Sequence, residues 1–387
     1  MRAAHRLDML PEYVFAALGA KLKALEAQGM TIIRLDMGSP DGPPPDFVID
    51  ALARSAATST SHGYMGFTGI PQLRQAMGDY YASRFGVVLD IGSEVLPLIG
   101  SKEGIANMAL AWLDPGDLAL VPDPGYPAYR MGAFLAGADV NFVPLQEDRG
   151  FLPDLGAIPA DIARQARLLW LNYPNNPTGA VASLGLFEEA VHFCRKHEIL
   201  LCHDVPYADV CFDGYRAPSL LEIPGAKEVA VEFNSLSKSH NMAGWRIGMA
   251  VGNSQAIRSL LQVKSNVDSG IFLPVQQAAV TALTGEQGWI QARNLEYQSR
   301  RDLLYDLVVN VWGLRCNKPP AGLYLWSHVP SGYASSEFTD RVLLETGVSM
   351  TPGSAFGPHG EGYFRISIGT ATDKIAEAVE KLRNFRF

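Results

Sequence analysis

Between Ser235 and Gly248 the chain reads SLSKSHNMAGWRIG, with Lys238 eight residues before Arg246 and Ser235 and Ser237 just upstream. A lysine that must bond to an aldehyde needs its amine neutral part of the time, and an arginine with nearby serine hydroxyls can hold a phosphate. The run has the composition of an anchor for a phosphorylated aldehyde cofactor. A surface lysine beside a salt-bridging arginine would satisfy the same string, so other segments must decide.

Three segments supply what such a cofactor needs. LNYPNNPTG follows an apolar stretch and reads as a buried strand entering a tight turn, with Asn176 at its carboxyl end. ILLCHDVPY is a second apolar strand that delivers Asp204 and Tyr207 at its end. An aspartate paired with a pyridine nitrogen keeps the ring protonated, and the ring can then draw electrons from a carbanion. Tyr207 is placed to donate to the ring's phenolic oxygen. LPLIGSKEGI reads as a strand followed by a helix through Trp112, with Ser101 and Lys102 at the helix start, where unpaired amides favour a phosphate. Each segment alone is also a common cap or turn. Together with the lysine run they point to pyridoxal phosphate.

With GSKEGI, PDPGYPAY, YPNNPTGAV and SLSKSHNMAGWRIG in place, the chain resembles the fold-type I pyridoxal phosphate aminotransferases of class I/II, nearest the LL-diaminopimelate aminotransferase branch, from about Pro11 to the carboxyl terminus. The resemblance implies an α/β fold: a large domain with a mostly parallel, seven-stranded type of sheet between helices, plus a smaller α/β domain. It implies that Lys238 is the Schiff-base lysine and the proton-moving base, that Asp204 pairs with the pyridine nitrogen, and that Tyr207 and Asn176 meet the phenolic oxygen. Tyr126 would stack on the ring. Ser101, Lys102, Ser235, Ser237 and Arg246 would hold the phosphate, joined by Tyr64 reaching into a neighbouring subunit's site. Arg365 of YFRISIG would clamp the substrate carboxylate beside Gly38, and Tyr13 would stand at the mouth. An arginine fork suits that task on physical grounds, because two parallel hydrogen bonds fix orientation as well as charge.

The implied activity moves an amino group between an amino acid and a 2-oxo acid, with 2-oxoglutarate and glutamate as one pair. A β-eliminating lyase on the same fold is the alternative, and a silent cofactor-binding regulator is a third reading. Relatives carry an acid shortly after the tyrosine matching Tyr64, where this chain has Met65, Gly66, Phe67 and Thr68. LL-diaminopimelate, a candidate donor by the resemblance, would find no carboxylate in that stretch for its far ammonium, which argues against it unless another loop supplies the acid.

Composition sets the remaining bounds. The 387 residues suggest two domains, and the net charge of −8 without a basic cluster argues against nucleic acid and anionic membranes. No apolar run approaches the roughly 18 residues of a membrane span, and MRAAHRLDMLPEY lacks a secretory apolar core, which places the chain in the cytoplasm. The four cysteines have no zinc spacing and read as free thiols, and His203 reads as packing, so no metal is implied. Residues 1–45 read as an arm that packs, by resemblance, on the small domain, 46–285 as the cofactor-binding domain, and 286–387 as the small domain. A helix over 289–312 with apolar positions Leu295, Leu303, Leu304, Leu307 and Val308 links the two, and 322–329 and 363–369 read as strands. A homodimer with shared sites completes the expectation.

Overall fold

The computed structural model describes residues 2–10 and 13–387, so Met1, Pro11 and Glu12 of the expected arm lie outside the described residues. Its centre is an eight-stranded sheet. Across its width run Val95–Leu98, Gly248–Gly252, Ala230–Ser235, Leu200–Asp204, Ala166–Asn172, Leu118–Asp123 and Asp139–Gln146, with the two-residue Leu152–Pro153 at the edge. Seven strands form the body, and the eighth is this short antiparallel addition. From Ala230–Ser235 to Asp139–Gln146 all neighbours are parallel.

Alternation along the strands sends side chains to two separate cores. Leu168 and Trp170 face a cluster with Ile105, Met108, Tyr129 and Leu260, under the helices Ser101–Trp112, Ala128–Ala136 and Ser254–Val267. Leu169 and Leu171 face the opposite cluster with Leu73, Met77, Phe187 and Ala278. The strands are therefore apolar almost throughout, as a sheet buried on both faces requires.

A third core joins Ile33 and Leu35 to Leu304, Val308, Phe338, Phe364, Ile366 and Ile375. It is built on the antiparallel strands Tyr324–His328, Tyr363–Ser367 and Thr351–Pro352, the parallel pair Ile33–Arg34 and Val348–Ser349, and the helices Ser335–Thr346 and Thr372–Arg383.

The long connecting helix differs from the expected apolar stripe. It is α-helical over Gly288–Asp306 and closes with a π-helical turn, Leu307–Val311. Leu295 is 61% exposed, and the inward face carries Arg293, Tyr297, Arg300, Arg301 and Leu304. Arginine can face inward here because Arg300 meets Asp41 at 2.9 Å and Arg301 meets Asp213 at 2.6 Å. Paired charge overrides the periodicity.

Candidate active site

Parallel strands end together, so Asn172, Asp204 and Phe233 lie in register at one edge of the sheet. The antiparallel strand Gly248–Gly252 begins at that edge opposite Ser235, and Leu98 pairs with the same Gly248. Arg246, Ser235 and the start of the Ser101 helix thereby converge. Carboxyl ends of strands in an open α/β sheet are where ligands bind. Here they floor a cavity of about 320 Å³ whose walls include Tyr13, Gly38, Ser101, Lys102, Tyr126, Asn176, Asp204, Tyr207, Ser235, Ser237, Lys238, Arg246 and Arg365. Every sequence-derived site residue except Tyr64 stands there.

Lys238 lies in the short helix Leu236–Ser239, capped by the Ser235 hydroxyl accepting from the Ser237 amide at 3.1 Å. Its amine donates to the Gly38 carbonyl at 2.6 Å, so Gly38 faces the lysine directly. Gly38 must be glycine, because a Cβ would overlap the Tyr324 ring. Burial, with the Arg246 and Arg365 charges, draws the Lys238 amine down to about 8. An amine poised there has an appreciable neutral fraction near neutral pH.

Asp204 is 4% exposed and accepts from the Tyr129 hydroxyl at 2.8 Å through Oδ2. Its Oδ1 is buried with no partner among the described residues. Burial pushes this carboxyl up to about 7, against the lowering effects of Tyr129 and His203. His203 is buried next to Asp204, its Nδ1 2.7 Å from Glu232 and its Nε2 3.2 Å from the Tyr173 backbone amide. Tyr207 bonds the Tyr324 hydroxyl at 2.8 Å, and burial pushes Tyr207 well up, so it stays a neutral donor.

Arg365 is 2% exposed, with Nη1 donating to Asn176 Oδ1 at 2.7 Å and Nη2 to the Asp36 carbonyl at 2.6 Å. The bond commits the Asn176 oxygen and leaves its amide nitrogen as a donor. The guanidinium lies 4.1 Å from the Tyr324 ring centroid and 4.7 Å from that of Phe356, and its buried Nε meets no partner among the described residues.

Arg246 adopts φ 55° and donates to the Ala243 carbonyl at 2.9 Å and the Ser237 hydroxyl at 3.5 Å. Gly100, at φ 74°, caps the Ser101–Trp112 helix, and a Cβ there would overlap the Arg246 guanidinium. Hydroxyls, a guanidinium and a helix start without a side-chain cap make a cradle for a phosphate. Lys102 stands at its rim with its amine 3.3 Å from the Tyr13 hydroxyl and 4.3 Å from that ring's centroid, so its visible contact is with Tyr13. Tyr126 packs edge-on to Tyr129, centroids 5.8 Å apart.

Tyr64 is 93% exposed, near the exposed Phe67, and does not line the cavity. Sequence reasoning missed Asn172, Tyr129, Tyr324, Asp36 and Arg34. Asn172 was discoverable, since it ends the strand Ala166–Asn172, whereas Asn176, expected at that strand end, lies four residues beyond it in the turn. Asn172 donates to the Asp204 carbonyl and accepts from the Asn176 amide, both at 2.8 Å.

The aromatic ring, phosphate and amine-reactive carbon of pyridoxal phosphate fit this donor set. The orphaned Asp204 oxygen awaits a proton donor, and the glycine-cleared cradle matches a phosphate. Residues 30–382 match the family model for aminotransferase class I and II. The chain belongs to that family. It is a pyridoxal phosphate-dependent aminotransferase of α/β fold, and the lyase alternative is not favoured.

Similar proteins include the LL-diaminopimelate aminotransferase of Moorella thermoacetica, 49% identical with 99% of this chain and 98% of that one covered. The enzyme of the same name from Dehalococcoides mccartyi strain 195 is 48% identical, with 100% and 99% covered. Among solved structures, substrate-bound BacF from Bacillus subtilis has TM-score 0.94 at 35% identity, covering 99% of this chain and 97% of that one. A probable N-succinyldiaminopimelate aminotransferase from Thermus thermophilus has TM-score 0.90 at 38% identity, covering 96% and 99%.

Proposed function

We propose that this aminotransferase takes its amino group from LL-diaminopimelate and passes it to 2-oxoglutarate. The observation that carries the transfer chemistry is the Lys238 amine and the Arg365 guanidinium sharing one cavity. When bound, pyridoxal phosphate supplies an electron sink for the pair left at the substrate's α-carbon. Arg365 orients the donor by forking its α-carboxylate, with Gly38 and Tyr13 beside it. Lys238 would be the base that moves the proton at the substrate's α-carbon, its amine lying within the cavity. With the cofactor bound, Asp204 would hold a proton on the ring nitrogen, while Tyr207 and the Asn176 side-chain amide would donate to the phenolic oxygen. Tyr126 covers the ring face. Ser101, Lys102, Ser235, Ser237 and Arg246 hold the phosphate.

The donor's identity is supported by the relatives' names and by their near-complete overlap with this chain. One feature favours a second reading, a donor without a far ammonium. Asp36 and Asp204 are the carboxylates on the cavity wall, and Asp36 is already committed to Arg34, at 2.7 Å through both oxygens, and to Ser349. A stopped-flow panel measuring loss of the cofactor's visible band with LL-diaminopimelate, glutamate, aspartate and phenylalanine decides between them. Diaminopimelate should give the highest specificity constant. A glutamate or aromatic preference with no response to diaminopimelate would reject it.

The proposed units are an arm of residues 1–45, a cofactor domain of 46–285 and a small domain of 286–387, supported by Ile33 and Leu35 packing among carboxyl-terminal core residues. The working form is a cytoplasmic homodimer in which Tyr64 completes the neighbour's phosphate site. In support, Tyr64, Phe67 and Phe272 are exposed aromatics, and no helix among the described residues is long and apolar enough to cross a membrane. Once Tyr64→Ala is shown to be impaired alone, mixing it with Lys238→Ala should restore part of the activity. Verified heterodimers that recover nothing would exclude a shared site.

A further inference from the structure

We propose that Arg293, on the connecting helix, is a positioning residue that sets where the Lys238 amine stands. Its Nη1 donates to the carbonyl of Lys238 itself at 3.0 Å, to that of Ser239 at 2.6 Å and to the Asn241 side-chain oxygen at 3.1 Å. Its Nη2 reaches the carbonyl of Asp209, two residues beyond Tyr207, at 3.3 Å, where Asn294 also donates at 2.8 Å. One guanidinium thus grips two of the segments that carry cofactor-facing side chains, those of Lys238 and Tyr207.

The local chain needs such a grip. Leu236–Ser239 is four residues long: its Leu236 carbonyl accepts from the His240 and Met242 amides, but the Lys238 and Ser239 carbonyls have no following turn to receive them. Asn241 then leaves in the left-handed region at φ 56°, which reverses the backbone at once. Without a donor at this point the Lys238 and Ser239 carbonyls would be buried and under-satisfied, and the turn would be free to rotate. Arg293 is 8% exposed and has no carboxylate partner among the described residues. Burying an unpaired charge is costly, so a side chain serving only as filler would be apolar. Five donors in a rigid plane suit several acceptors at fixed angles, which a flexible ammonium cannot reproduce.

The same helix grips the substrate end. Arg300, two turns further on, donates to the Thr372 hydroxyl at 2.8 Å and the Ile368 carbonyl at 3.4 Å, close behind the strand that carries Arg365. The helix is a bar with the proton-moving amine referenced to one end and the carboxylate clamp to the other. A shift of the Lys238 turn would misplace the amine relative to a clamped donor.

The test uses holoenzyme carrying Arg293→Met, with Arg293→Lys as the conservative variant and Arg301→Met as a control. Arg301 is a buried arginine on the same helix that bonds Asp213 and the Pro319 carbonyl instead. Two readouts separate positioning from general support: the pH midpoint of the visible band of the Lys238-bound cofactor, and the single-turnover rate against its half-saturating donor concentration. In Arg293→Met the midpoint moves and the saturated rate falls about ten- to hundredfold, while half-saturation stays within about threefold, because misplacement on the ångström scale has such costs. Arg293→Lys falls between it and the wild type. Arg301→Met lowers the melting temperature and leaves both readouts in place.

Equal behaviour of Arg293→Met and Arg301→Met would overturn the proposal. If Arg293→Met yields no folded holoenzyme, Arg293→Lys carries the same criterion, and a wild-type midpoint and rate in it overturn the proposal. The inference rests on Lys238 being the anchor. That premise fails separately if the wild-type band persists in Lys238→Ala, an outcome independent of any Arg293 variant.

Discussion

Asp204→Asn should make the cofactor-stripped protein more stable as pH rises, while destroying turnover in the holoenzyme. Burial raises the Asp204 carboxyl from 3.8 to about 7. A carboxyl with a raised folded value holds its proton more tightly when folded. Its stabilising contribution is complete below about pH 4 and is lost as pH climbs through 7. The shift is near three units at 1.36 kcal/mol each, so ionising Asp204 in the stripped fold costs about 4 kcal/mol above pH 7. Asparagine escapes this cost and can still accept from Tyr129. Its amide nitrogen would take the place of the partnerless oxygen, a penalty of about 1 kcal/mol that does not vary with pH. Chemical unfolding of the stripped proteins should therefore show the variant's advantage growing by about 2 to 3 kcal/mol between pH 5 and pH 8, most of the titration falling in that window. A difference that stays flat with pH, or that shrinks, would refute the account of Asp204 as a desolvated carboxylate awaiting a ring proton. In the holoenzyme the same change should lower turnover by orders of magnitude, since an unprotonated pyridine is a poor sink.

Lys238→Ala should fold yet take up no covalently bound cofactor, checked by borohydride reduction and mass measurement. In the wild type, the rate of cofactor capture should rise about tenfold per pH unit and level off above about 8, where burial and the flanking arginines place the amine. Gly100→Ala should weaken cofactor retention by about tenfold or more, read by equilibrium dialysis, because an L-residue is strained at φ 74° and its Cβ overlaps Arg246. Arg365→Met should raise half-saturation for the amino donor about 100-fold, the scale of a lost charged fork, with cofactor binding unchanged in the same titration.

The residues legible from sequence are those whose neighbours are local. Asp204 ends an apolar strand and Asn176 and Lys238 each follow one closely, within short distinctive strings, and the strand ends carry them to one edge. Tyr324 and Asp36 gave no such signal. Tyr324 opens a strand and Asp36 sits in the bend after Ile33–Arg34, both with ordinary local patterns, and they reach the cavity only because the amino-terminal segment and the carboxyl-terminal sheet fold against it. The connecting helix shows the opposite failure. Its leucines suggested a core stripe including Leu295, but the buried face was decided by which arginines find distant carboxylates and carbonyls, information that periodicity does not hold. Lys102 was readable as a cation at a helix start, yet its direction toward Tyr13 depends on a segment far away in sequence.

The aromatic enclosure of Arg365 has a bearing on how the enzyme behaves in different ionic media. With the guanidinium 2% exposed between the Tyr324 and Phe356 rings, it faces the cavity rather than the bulk, and the roughly 8 Å screening distance of physiological electrolyte acts fully only on charges that bulk water surrounds. Lys102 at the rim is exposed and open to that atmosphere. Rising salt should thus leave the grip on the α-carboxylate intact while weakening the attraction that first draws an anionic substrate to the mouth. Concentrated electrolyte would slow capture without loosening hold.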